Sequence, residues 1–318
     1  MNINIYDVSK KAGVSIATVS RVLNGNTRVS EKTRDKVINA MKELDYTPNV
    51  FARGLGLNTM KTIGIMCIDS SDIYLANAVY YLEQELRKYN YDSILCCTGK
   101  DYNNKKNYLE LLLSKRVDGI ILAGSQFVEN TSKHNNDYII NAAKDVPIVL
   151  VNGYLDADNI YSVMCNDEEA VYNATKLLIN NSHRNIVYLY TSTSYSGMNK
   201  YRGYLKAINE AGITLPDEFH HLCGKNISHA RDYLTYLYDK GMKFDAVMTS
   251  DDSIAAGAVK FAHTHGIRIP EDLEVIGYND SVLSLCTEPE LTSIDSKVEE
   301  LSLSLIHISE PTRQAEIS

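Results

Sequence analysis

The hydrophobic rhythm of the chain changes near residue 60. Before it, apolar positions follow helical spacing. Ile5–Ala12 reads as a first helix and Gly13 as a turn residue that tolerates positive φ. Ser15 stands where an N-cap belongs before a second helix, Ile16–Leu23, and Ser30 with Thr33 and Arg34 opens a third. The stripe Val37, Ala40, Met41 and Leu44 on that third helix closes a three-helix core. From Lys61 on, short β-rich runs alternate with helical patterns. Thr62–Ile68, Ser93–Thr98, Gly119–Ala123, Pro147–Asn152, Asn185–Tyr190, Ala246–Thr249 and Leu273–Gly277 read as strands, and several are apolar throughout, as in a parallel sheet covered on both faces. Between them Leu75, Val79, Leu82 and Leu86 recur at helical spacing, as do Ala174, Leu177 and Leu178, and Tyr233, Leu234 and Leu237. The alternation runs on both sides of about residue 160, so two doubly wound halves are expected, with ligands at the carboxyl ends of their strands. Asp252 is expected to cap a helix over Ser253–His265.

Composition narrows the class. The 318 residues are 44% hydrophobic and 23% charged, enough apolar material for two or three packed domains. Apolar stretches such as Val146–Val151 fall far short of the ~18 residues of a membrane helix, and the N-terminus lacks an apolar signal core, so a cytoplasmic protein is expected. Six cysteines form no C-x-x-C pair, and Cys67, Cys96 and Cys97 lie in strand-like runs that suit buried, reduced thiols. His220, His221, Cys223 and His229 do not follow a zinc spacing, and a strand there would send neighbours to opposite faces. With no G-x-S-x-G elbow, Walker loop or H-E-x-x-H, the chain is expected to be no enzyme and to use neither metal nor cofactor. Residues 1–60 hold nine Lys/Arg against five Asp/Glu, +4, which leaves -12 on the rest. A basic head on an acidic body suits nucleic acid, although charge alone suits a solvated helical surface equally well.

The motifs decide between those readings. I-Y-D-V-S-K-K-A-G-V-S-I-A-T-V-S-R-V-L-N-G at the start of the chain, followed by Y-T-P-N-V-F-A-R-G-L and the alternating body, resembles the lactose/galactose repressor (LacI/GalR) family up to about Val298. The resemblance implies a small all-α helix-turn-helix head and an α/β core of two doubly wound parallel-sheet subdomains, similar to periplasmic binding proteins. It implies that Ile16 and Ala17 face base edges with Arg21 one turn later. Arg21 has the fork to bind guanine O6/N7, while Ile16 and Ala17 can offer only apolar contact. Tyr6, Ser15, Thr18, Ser20 and Asn24 suit phosphate oxygens. It further implies a hinge helix, Asn49–Leu55, in which Pro48 pre-sets the start, Asn49 contacts DNA and Leu55 wedges the minor groove.

In the core the resemblance places a ligand cleft at Asp72, Tyr74, Asn152, Lys200, Asp251 and Asn279, a set that offers planar acceptors, donors and an aromatic face to sugar hydroxyls and rings. Here the chain departs from the family, which commonly has Arg at Lys200, N-D at Asp251–Asp252 and D-D at Asn279–Asp280; lysine cannot clamp bidentately as arginine does. The expected division is a head at 1–46, hinge and linker at 47–60, a core at 61–302 with its crossover near 160, and a tail at 303–318. The family continues past L-T-S-I-D-S-K-V-E-E with an apolar-faced helix and closing strands, which Ile306–Ser318 does not match, and Pro311 interrupts a helix there, so the tail is expected to be foreign. The implied function is a cytoplasmic repressor, a homodimer on a pseudo-palindromic double-stranded DNA operator, controlled by a small effector, a carbohydrate or derivative. Competing classes are a global catabolite-type regulator driven by a protein corepressor, a pure sugar-binding protein, and a sugar-handling enzyme.

Overall fold

In the computed structural model, residues 3–23, 28–46, 59–128 and 133–304 are described, and they divide into two compact units. Asn24, Asn49, Leu55, the expected hinge helix and the chain beyond 304 lie outside the described residues.

Among the described residues the first unit, Met1–Thr62 with Arg116–Asp118, contains three helices: α1 (Ile5–Ala12), α2 (Ile16–Leu23) and α3 (Glu31–Glu43). The local signals act as expected. Asn4 and Asp7 form a reciprocal capping box at the start of α1, and Gly13 ends that helix at φ 66, a left-handed conformation that costs glycine nothing. Ser30 caps α3 through the amide of Thr33. Val8, Val19, Val22, Val37 and Ala40 meet in one core, with Met41 and Leu44 packed against it.

The second unit carries two five-stranded sheets. The first contains β1 (Thr62–Cys67), β2 (Asp92–Cys97), β3 (Gly119–Ala123), β4 (Ile148–Val151) and β5 (Ile160–Val163), in the order β2-β1-β3-β4-β5. Helices α4 (Ile73–Lys88), α5 (Tyr102–Ser114) and α6 (Asp137–Ala142) connect its strands. The β1–β3, β3–β4 and β4–β5 ladders are all parallel. The second sheet contains β6 (Ile186–Tyr190), β7 (His220–Leu222), β8 (Ala246–Thr249), β9 (Glu274–Tyr278) and β10 (Thr292–Ile294), in the order β10-β9-β8-β6-β7. It is interleaved with α7 (Asp167–Asn180), α8 (Tyr195–Glu210), α9 (Ile227–Asp239), α10 (Asp252–His265) and α11 (Val282–Leu285), and α12 (Val298–Ser304) follows β10. Both faces of the second sheet are covered. Val187, Leu189, Val247 and Val275 face Leu234 and Phe261, while Ile186, Tyr188, Met248 and Ile276 face Leu178 and Tyr204. The chain passes from the first half to the second after β5, and α12 returns to the first half, where Leu301 packs with Leu82 and Leu86.

Four expectations need correction. The expected strands omit β5 and β10, which carry no long apolar run because each is short, partly exposed and at an edge of its sheet. Leu177 points outward although it shares the helical spacing of Leu178. Cys97 is exposed, because β2 is the edge strand of its sheet. Asp252 does not cap α10: Asp251 does, and Asp252 is buried, accepting from the Ser281 amide at 2.7 Å and the Ser293 hydroxyl at 2.5 Å. Gly277 leaves the room for that carboxylate, since a Cβ there would stand 2.3 Å from Asp252 Oδ1.

Candidate functional site

In the first unit α2 divides its residues between core and surface. Val19 and Val22 turn inward, while Ile16, Ala17 and Arg21 are exposed and Tyr6 on α1 is two-thirds exposed. Ser15 accepts from the Thr18 amide at 3.2 Å and its hydroxyl lies 2.9 Å from that of Thr18, so the two hydroxyls sit together at the start of the helix. Thr18 and Ser20 are half-buried. The exposed face thus presents one long cationic side chain, a tyrosine and small apolar groups at the amino end of a helix, where partial positive charge favours phosphate.

In the second unit the carboxyl ends of strands from both sheets converge on one cleft with a cavity volume of about 90 Å³. The segment after β1 supplies Ile68, Asp72 and, in the first turn of α4, Tyr74; that after β3, Ser125 and Gln126; and that after β4, Asn152. From the second half, β6 leads into Thr191, Ser192 and Ser194, α8 supplies Lys200, β7 leads into Lys225, β8 into Ser250 and Asp251, and β9 into Asn279. All six core residues expected at the cleft therefore line it.

Each is held by its neighbours. Asp72 caps α4, accepting from Leu75 N at 3.1 Å, and its other oxygen lies 2.6 Å from Lys225 Nζ. Asp251 caps α10 with one oxygen and with the other meets Lys225 Nζ at 2.8 Å and Asn279 Nδ2 at 3.0 Å. Burial alone would pull the Lys225 ammonium down, but Asp251 and Asp72 together hold its pKa above the ordinary lysine value. Asn152 adopts φ 57, donates to the Tyr74 hydroxyl at 2.6 Å and accepts from Cys165 N at 3.1 Å. Lys200 is buried with its Nζ 3.5 Å from the centre of the Tyr278 ring and 3.2 Å from the Ser250 carbonyl oxygen. Burial pulls its pKa below the ordinary value, against Asp167 and Asp251. Tyr278 in turn donates to Asp167 at 2.5 Å.

Residues that periodicity and motif did not single out complete the cleft. Ser125 of the first half donates to Ser194 of the second at 2.8 Å, and Ser194 lies 2.9 Å from Ser192 and caps α8. Gly197 allows this turn to lie against the helix: a Cβ there would stand 2.2 Å from the Ser192 carbonyl oxygen. A signal for Lys225 was present in the sequence, because C-G-K-N-I-S joins a strand to a helix at the carboxyl end, where ligands of such sheets sit. The other histidine-rich residues do separate: His220 rests edge-on against Tyr201 and Tyr204, and His221 stacks on Tyr233 with ring centres 3.6 Å apart.

Residues 60–310 match the family described as periplasmic binding proteins and the sugar-binding domain of the LacI family, and residues 4–49 match bacterial regulatory proteins of the lacI family. The chain belongs to the LacI family. It is 55% identical over 303 residues to an HTH-type transcriptional regulator of Lachnoclostridium phytofermentans, covering 95% of this chain and 91% of that protein. It is 32% identical to Catabolite control protein A of Priestia megaterium over 92% of this chain and 87% of that one. A lac repressor dimer crystallised with operator and the anti-inducer ONPF shares the fold at TM-score 0.86 and 24% identity, over 97% of this chain and 92% of the other. The LacI-family architecture, a helix-turn-helix and two parallel-sheet subdomains, is therefore that of a transcriptional regulator and not of an enzyme. No helix among the described residues is long and apolar enough to cross a membrane.

Proposed function

We propose that the chain is a repressor that binds a pseudo-palindromic double-stranded operator as a homodimer, and that a small carbohydrate or carbohydrate derivative in the core cleft controls it. The head reads DNA with Ile16, Ala17 and Arg21, while Tyr6, Ser15, Thr18 and Ser20 hold phosphates; Asn24, Asn49 and Leu55 belong to the same proposed surface by sequence. Effector contacts come from Asp72, Tyr74, Asn152, Lys200, Asp251 and Asn279. One observation carries the effector reading: Lys225 of the second half is bonded to Asp72 of the first inside the cleft. A ligand that displaces or orders this bridge acts on both halves at once, and its differential affinity for two arrangements shifts their populations.

With no tryptophan in the chain, calorimetry or thermal shift is the direct assay. A panel of sugars and sugar phosphates is expected to contain a compound that raises the melting temperature and changes operator affinity; at 100 times its dissociation constant it stabilises by ~2.7 kcal/mol. A panel without any such compound overturns the carbohydrate reading. The 32% identity to Catabolite control protein A favours a second reading, global regulation by a protein corepressor. It predicts operator affinity that no small molecule alters alone.

A further inference from the structure

The sulfurs of Cys67 and Cys97 lie 3.7 Å apart. Cys67 ends β1 and is fully buried; Cys97 ends the neighbouring edge strand β2 and is exposed. The backbone fixes the pairing, since Thr98 N donates to the Cys67 carbonyl oxygen at 2.9 Å. Adjacent strands run ~4.8 Å apart, within the Cα separations of roughly 4.4–6.8 Å that disulfides span. The third thiol nearby, Cys96, is buried on the opposite face of β2, because successive strand residues alternate.

We propose that Cys67 and Cys97 form an oxidisable pair that a hydroperoxide converts to an intramolecular disulfide. Exposure makes Cys97 the attacking sulfur. Its thiolate bonds to the distal peroxide oxygen, the O–O bond breaks, and the proximal oxygen leaves with the proton as an alcohol (or as water from hydrogen peroxide). Cys97 is then a sulfenic acid. Cys67 attacks that sulfur: the S–S bond forms, the S–O bond breaks, and the departing hydroxide takes the Cys67 proton as water. The peroxide is reduced by two electrons and the two thiols are oxidised. Burial and the adjacent Cys97 push the Cys67 thiol up to about 12, so Cys67 stays protonated while the exposed Cys97 reacts first. Ile68, the next residue, lines the ligand cleft, so the bond forms at the cleft wall.

The test is intact-mass analysis of the full chain after stoichiometric hydrogen peroxide, with peptide mapping before and after dithiothreitol. The wild type and Cys96→Ser are expected to lose about 2 Da reversibly, with the peptides of Cys67 and Cys97 joined. Cys97→Ser, an exposed and structurally mild change, is expected to show no such loss. Three results overturn the proposal: oxygen added at Cys97 while Cys67 stays free to alkylate, a cross-link between two chains, or an equal mass loss in Cys97→Ser.

Discussion

Lys225 Nζ stands 2.6 Å from Asp72 Oδ2, which joins the loop after β7 to the first turn of α4 across the cleft. The same ammonium meets Asp251 at 2.8 Å, so one cation serves two carboxylates that cap different helices. Two helix N-termini, each favouring negative charge, are thereby tied to a single movable side chain. An arrangement of this kind is stable without ligand and sensitive to anything that competes for the carboxylates or the ammonium.

Replacing Lys225 by Met leaves Asp72 and Asp251 facing each other without their cation. The variant is expected to lose about 1–3 kcal/mol in urea denaturation, and adding Asp72→Asn is expected to restore part of the loss. Equal midpoints for wild type and Lys225→Met would show that the bridge contributes nothing.

Gly197→Ala places a methyl group against the Ser192 carbonyl oxygen, where a Cβ would stand at 2.2 Å. The turn carrying Ser192 and Ser194 must move away from α8. Ligand affinity is expected to fall at least tenfold, about 1.4 kcal/mol, by calorimetry, while operator binding without ligand is retained.

Arg21→Ala removes the long cationic group of the exposed α2 face. Base discrimination is expected to fall by about 1–3 kcal/mol at one operator position, measured on a set of single-base operator variants. Lysine or arginine changes that touch only phosphate are expected to weaken all sequences alike and flatten the salt dependence by ~0.9 per contact.

Alkaline pH is expected to destabilise the core through its buried thiols. Burial, reinforced by Asp167, pushes Cys165 from 9.0 to about 12, and Cys67 is pushed to about 12. The unfolded chain releases these protons above 9.0 while the folded chain keeps them, so stability is unaffected below that pH and falls as pH rises from 9.0 toward 12. Lys200 acts in the opposite direction: burial lowers its pKa, so the cost of its charge is full at neutral pH and is relieved as pH rises toward 10.5. Urea midpoints between pH 8 and 11, as order-of-magnitude bounds on this window, are expected to fall less steeply in Cys165→Ser than in the wild type.

The amino-acid order alone determined what depends on neighbours a few residues apart. The α1 and α2 spans are those the periodicity predicts, because the capping box at Asn4 and Asp7, the turn at Gly13 and the inward Val19 and Val22 are all encoded within one or two helical turns. The apolar runs that form β1, β3, β4, β6, β8 and β9 were legible for the same reason, whereas Asp72, Tyr74, Asn152, Lys200, Asp251 and Asn279, which line the cleft, were picked out by the family resemblance and not by any local pattern. What tertiary structure decided was which of these meet. Two adjacent aspartates offer the same local cap, and only the approach of Ser293, 41 residues later, assigns Asp252 to the core and leaves Asp251 to the helix and the cleft. Exposure of Cys97 follows from its strand's place at the sheet edge, which no window along β2 contains. The bridge from Lys225 to Asp72 spans 153 positions, and its geometry exists only once the two halves set their strand ends face to face.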